Sequence, residues 1–162
     1  MQLQDNVLSL ARINNLKVLL NILGWSLGVI LLLQFIQIDI PKEPKATPSD
    51  EIKAPKEIMN ILKTSCYDCH SNETKMPWYG NISPISIGVH SNIKNGRKWL
   101  NFSIFNKYDE KKKQKIYRGI VDSIKVQKMP PSEYLLFHKD ARLTPKQSKM
   151  LQDWANSKIK DN

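Results

Sequence analysis

Two cysteines and a histidine, in the stretch Cys66-Tyr67-Asp68-Cys69-His70, constrain this chain more than any other feature. The pattern is C-x-x-C-H. Two thiols at this spacing on a helical turn can form thioethers to the two vinyl groups of one haem. The histidine that follows then stands over the iron, where an imidazole nitrogen serves as proximal ligand. The chain has only these two cysteines. A redox dithiol of this spacing belongs beside a βαβ pattern, and none is visible. A zinc site would need a second Cys/His pair to complete four ligands. A disulfide closing so short a loop does little for a fold. The reading is one covalent haem c, with its iron, held by Cys66, Cys69 and His70.

Before this motif lies a second constraint. Val18 to Ile38 runs for 21 residues without a charge, and as a helix it would span about 31 Å, close to the hydrocarbon thickness of a bilayer. No small-x-small cleavage site follows it, so an uncleaved anchor is favoured over a signal peptide. The expected organisation is a cytoplasmic tail over 1–17, a transmembrane anchor over 18–38, a Pro-rich linker over 39–54 and a c-type haem domain over 55–162. Pro41, Pro44 and Pro48 make the linker an extended, semi-rigid tether. Arg12 and Lys17 precede the span, whereas Lys42, Lys45, Lys53 and Lys56 follow it. That bias alone would place the C-terminal part in the cytoplasm. Thioether attachment of haem belongs outside the cytoplasm, and this chemical requirement overrides the charge tendency.

The haem domain reads as helical throughout. A helix starting at Pro55 carries Ile58, Ile61, Leu62, Cys66 and Cys69 on one face. A loop follows His70. Ser83-Pro84 opens a helix expected to stop near Asn95-Gly96. Lys111 to Lys125 carries an apolar stripe of Ile116, Ile120 and Ile124. Met129-Pro130-Pro131 breaks it. Thr144-Pro145-Lys146-Gln147 is a capping box opening a last helix, to about Lys158, which buries Met150, Leu151, Trp154 and Ala155.

The second axial ligand of a haem iron is usually a methionine sulfur or a histidine nitrogen. Met76 follows His70 too closely to cross the ring, and Met150 fits the core of the last helix. Met129 lies 59 residues beyond His70 in a proline-stiffened loop. It is the favoured distal ligand, with His138 the alternative and His90 or an open site behind them. Trp78, Tyr79, Trp99 and Tyr117 are candidate haem walls, and Arg97 a candidate propionate partner.

The net charge of +10 first suggests nucleic acid or acidic partners. No zinc finger, RNA-binding or basic-zipper motif is present, so nucleic acid is excluded. Lys98, Lys107 and Lys111 to Lys113 could steer an acidic redox partner.

An early CxxCH helix, a Met-Pro loop about sixty residues on and a terminal helix resemble a small class I cytochrome c. Residues 55–158 resemble the bacterial haem-binding domain family of membrane-anchored monohaem proteins. The matching stretches are CYDCHSNETKMPWYGNISP, NGRKWLNFS, and MPPSEYLLFHKDARLT with LQDW after it. The resemblance implies an all-α, cytochrome c-like haem domain preceded by a single transmembrane helix. It places that domain on the periplasmic side of a bacterial inner membrane. The expected function is one-electron transfer with His70 and Met129 as axial ligands, and not enzymatic catalysis. A haem sensor or peroxidase-like protein with an open distal site, for which His90 and Arg97 would be the polar pair, is the alternative from another class.

Overall fold

The computed structural model describes residues 2–36, 43–45 and 47–160. Those residues form helices and loops, with no strand among them. They fall into two compact units, the first of residues 2–36 with 78–89 and the second of 43–45 and 47–77 with 90–160.

The first unit contains a 32-residue helix, α1 (Gln2–Leu33). Within it Asn14–Leu33 is long and apolar enough to cross a membrane, and none of that window is buried inside the protein. An apolar helix that covers none of its own surface needs an apolar solvent. The helix extends through the expected polar tail, because residues 2–17 contain no glycine or proline to stop it. The expected exit of the span at 37–38, and part of the expected linker at 39–42 and 46, lie outside the described residues.

In the second unit, α2 (Lys56–Ser65) starts behind Pro55, which stands at the N-cap. The cysteines do not continue this helix. Cys66 breaks it at φ −130° and ψ −31°, and α3 (Tyr67–His70) begins a fresh turn. The Cys66 carbonyl accepts from both Cys69 N and His70 N, at 3.3 and 3.0 Å. The expectation of one continuous helical face is therefore replaced by a kinked pair. The break at Cys66 resets the 3.6-residue phase between α2 and the histidine.

Four elements carry the remainder: α4 (Ile85–Trp99), α5 (Glu110–Lys125), α6 (Ser132–Leu135) and α7 (Pro145–Asn156). The first five residues of α4 belong to the first unit and the rest to the second. The helix runs straight through Asn95-Gly96, where a stop was expected. The Asp109 carboxylate caps α5 by accepting from Lys112 N at 2.7 Å. The capping box of α7 forms in both directions: Thr144 Oγ1 accepts from Gln147 N at 3.2 Å, and Gln147 Oε1 accepts from Thr144 N at 2.9 Å.

The core joins α2, α5 and α7 through Leu62, Ile116, Ile120, Leu151 and Ala155. Phe105, Tyr117 and Trp154 form an edge-to-face ladder with centroids 5.5 and 5.6 Å apart. The expected tether contributes to this core as well. Ile52 is 2% exposed and donates its N–H to Phe102 O at 2.9 Å. Asn106 donates to Ser49 O and Glu51 O, and Lys107 pairs with Asp50 at 2.9 Å. Proline and charge dominate 39–54 in composition, but one well-placed isoleucine suffices to dock its last turn.

Candidate functional site

A cleft of about 400 Å³ opens between α2, α3, α4, α5 and the segment from Lys128 to Tyr134. Its floor is apolar, formed by Leu62, Leu100, Phe102, Ile120, Ile124 and Leu151. Four of these, Leu62, Ile120, Ile124 and Leu151, belong to faces that the helical periods already assigned to the interior. Cys66, Cys69, His70 and Met129 all line this one cleft. His138 and His90 are not on its lining, and neither are Met76 and Met150.

The imidazole of His70 is held in one orientation. Its Nδ1 lies 3.1 Å from Gly96 O and 3.1 Å from Leu100 O. Both neighbours are carbonyl oxygens, so Nδ1 carries the proton and donates to them. Nε2 is left as the lone-pair nitrogen. Burial pushes the His70 pKa below its usual value, against the smaller opposing effect of those two carbonyls. The ring is therefore neutral at pH 7, the form in which imidazole binds metal. Phe102 meets it edge-on at 6.3 Å and is itself stacked on Tyr67 at 5.3 Å.

Burial also acts on the thiols. It pushes Cys66 up to about 12 and Cys69 up to about 11, with the Cys69 sulfur adding to the first shift and Asp68 to the second. A working dithiol needs a lowered pKa, since the thiolate is the nucleophile. These groups have the reverse, which counts against a redox dithiol.

Two glycines make the cleft possible. A Cβ on Gly96 would stand 2.5 Å from Cys69 O, so only glycine lets α4 approach the CxxCH turn this closely. A Cβ on Gly119 would overlap the Trp99 ring. Both glycines line the cleft, with Trp99 beside them. Gly96 reads as a helix stop from sequence because glycine marks C-termini, and only the neighbouring backbone reveals its other use.

Tyr134 is a further member that the sequence did not single out. Its hydroxyl donates to Asp68 Oδ2 at 2.7 Å, tying α6 to the residue between the cysteines. Asp68 also accepts from Lys75 N through Oδ1 at 3.0 Å. His138 stacks face to face on Tyr134 at 4.1 Å, and its Nδ1 lies 3.1 Å from Tyr134 O. His138 thus supports the residue that lines the cleft.

The other candidates separate. Trp99 lines the cleft, Tyr117 belongs to the core, and Trp78 and Tyr79 belong to the first unit. Arg97 holds the loop after His70, donating to Ser71 O at 2.8 Å and Thr74 Oγ1 at 2.9 Å.

The donor set suits an iron porphyrin. It offers one lone-pair imidazole nitrogen, one thioether sulfur, two thiols and a broad apolar floor, in a volume normal for a cofactor cleft. Among the described residues no group of three or more His, Cys, Asp or Glu side chains could hold a bare metal ion. A family model described as a haem-binding domain matches residues 28–157. No curated protein and no solved structure matches the chain.

Proposed function

This chain belongs to the haem-binding domain family, and on that premise we propose that it is a membrane-anchored monohaem c-type cytochrome that transfers single electrons. The observation that carries the reading is the convergence of Cys66, Cys69, His70 and Met129 on the lining of one apolar cleft. Haem supplies an iron that cycles between ferric and ferrous states by one electron. Every other part of the task falls to the protein.

Cys66 and Cys69 would hold the ring through two thioethers, the net addition of each S–H across one vinyl group, with no oxidant consumed. His70 Nε2 would ligate its iron. The Gly96 and Leu100 carbonyls that accept from Nδ1 hold the imidazole plane and raise the basicity of the ligating nitrogen. Met129 would offer its thioether sulfur to the iron, a donor that would favour the reduced state and raise the potential. The apolar floor excludes water and limits the reorganisation that accompanies a change of charge. Tyr134, bonded to Asp68, holds the distal segment against the CxxCH turn.

No substrate turnover is needed for this role. The sensor or peroxidase-like alternative rested on His90 and Arg97 as a distal pair, and neither lines the cleft. Acidic proteins are the proposed redox partners. Of the lysines expected to steer them, Lys107 and Lys113 are engaged with Asp50 and Glu110, and Lys112 lies 3.7 Å over the Tyr108 ring. Lys98 and Lys111 are exposed, and with Lys115 and Arg118 they line a second groove that shares Trp99 and Gly119 with the haem cleft. That groove is the proposed contact. Because thioether attachment of haem belongs outside the cytoplasm, the proposed location of the haem-bearing part is the periplasmic face of a bacterial inner membrane.

The test is protein matured with haem-attachment machinery. Under denaturing conditions its mass should include one haem, and its ferric spectrum should be low-spin and six-coordinate. Release of the haem on denaturation would overturn covalent attachment. A high-spin ferric spectrum that shifts on adding imidazole would return the alternative.

A further inference from the structure

The first unit contains a stretch whose polarity is inside out. Trp78 to Val89 runs for twelve residues without Asp, Glu, Lys or Arg, in a chain where one residue in four is charged. Within it, Trp78–Asn81 forms one 3₁₀ turn and α4 begins at Ile85. The serines of this stretch are buried, Ser83 at 3% exposure and Ser86 at 6%. Tyr79 is buried with them, but three large apolar side chains face outward: Trp78 is 75% exposed, Ile85 50% and Ile82 42%. A surface in water has the opposite arrangement, and a contiguous apolar patch is normally covered by something.

Hydrogen bonds show where the patch lies. Gln34 follows directly on the last residue of α1. Its Nε2 donates to Ser83 O at 2.9 Å, and its Oε1 accepts from Ser83 N at 3.1 Å. Ser83 Oγ also donates to Ile36 O at 3.2 Å. Ser83 thus binds the C-terminal end of the apolar helix, and Ser86 Oγ lies 3.1 Å from its hydroxyl. The exposed tryptophan and isoleucines are carried at the level where that helix leaves the bilayer. Phe35, 84% exposed, stands at the same end. Tryptophan and aliphatic side chains on an uncharged segment at this depth match the headgroup boundary, where an amphipathic ring is favoured.

We propose that Trp78, Ile82 and Ile85 insert into the interfacial zone of the membrane that α1 crosses, making residues 78–87 a second membrane contact beside the span. Lipid is the occupant because the patch is continuous with the end of the span and holds no charge for a protein partner to read. The inference rests on α1 being a transmembrane helix.

The test is photolabelling of the full-length holoprotein in phosphatidylcholine/phosphatidylglycerol vesicles. One lipid probe carries its diazirine near the headgroup and the other near the acyl terminus. Labelled sites are mapped by peptide mass spectrometry. The deep probe should label 14–33 and the shallow probe 78–87. Combined Trp78→Glu and Ile85→Glu should abolish the shallow label on 78–87, with the deep label and the haem spectrum unchanged. Labelling of 14–33 without 78–87 overturns the inference and leaves the span standing. Absence of label on both overturns the span as well. Shallow labelling that survives the double substitution also overturns the inference, because contact would then not run through this face.

Discussion

At the scale of single residues, the proposed ligand His70 is held in one orientation by the fold itself. A bifurcated hydrogen bond to two carbonyls sets tautomer and ring plane together, and burial keeps the ring neutral. Gly96 contributes to the same arrangement twice, through its carbonyl and through its missing side chain. Gly96→Ala should therefore push α4 away from the CxxCH turn. Haem content per protein after maturation, measured by absorbance, should fall severalfold, while Gly88→Ala should leave it unchanged, since a Cβ at Gly88 meets nothing within 4 Å. Met129→Ala should convert ferric protein to high-spin iron and abolish the near-infrared charge-transfer band that the cytochrome c resemblance implies for thioether ligation. His138→Ala should preserve both features; high-spin iron in that variant instead would make His138 the ligand.

Among the elements, α6 and α7 hold the distal side and the core in different ways. α6 is only one turn long, so its position depends on the Tyr134 bond to Asp68. A hydrogen bond to a charged group is worth about 1.5–3 kcal/mol. Tyr134→Phe should keep the covalent haem and loosen the Met129 segment, seen as tighter imidazole binding to ferric protein in a spectral titration. Unchanged imidazole affinity would show that Tyr134 does not hold that segment. α7 is a longer element with a complete capping box and a fully buried leucine. Thr144→Ala should cost about 1 kcal/mol in a urea titration. Leu151→Ala, at a side chain with 0% exposure, should cost about 2–5 kcal/mol. The helical periods of α5 and α7 were legible in the sequence because their apolar positions recur on one face. The break at Cys66 was not legible, since cysteine carries no helix-stop signal. Nor was α6, hidden behind two prolines that read only as a breaker.

For the whole molecule, the issue is how an apolar helix, a basic surface and a haem cleft serve one role. The charge distribution around the span and the chemistry of haem attachment make opposite demands on topology. A C-terminal reporter that is active only outside the cytoplasm should be active in cells making this protein; activity of a cytoplasm-only reporter would reverse the orientation. The proposed covalent attachment was legible in the sequence alone, because CxxCH encodes its geometry within five residues and needs no tertiary partner to be recognised. The apolar span was legible for the same reason, being a local property of composition and length. Tertiary structure alone brought Met129 to the cleft and Tyr134 to Asp68, since those placements depend on chain segments folding back across some sixty residues. It also turned Gly96 from a helix stop into a point of contact, and it bound Ser83 to the end of the span. Each of these depends on distances between residues far apart in the chain, and such distances leave no periodic mark in the sequence.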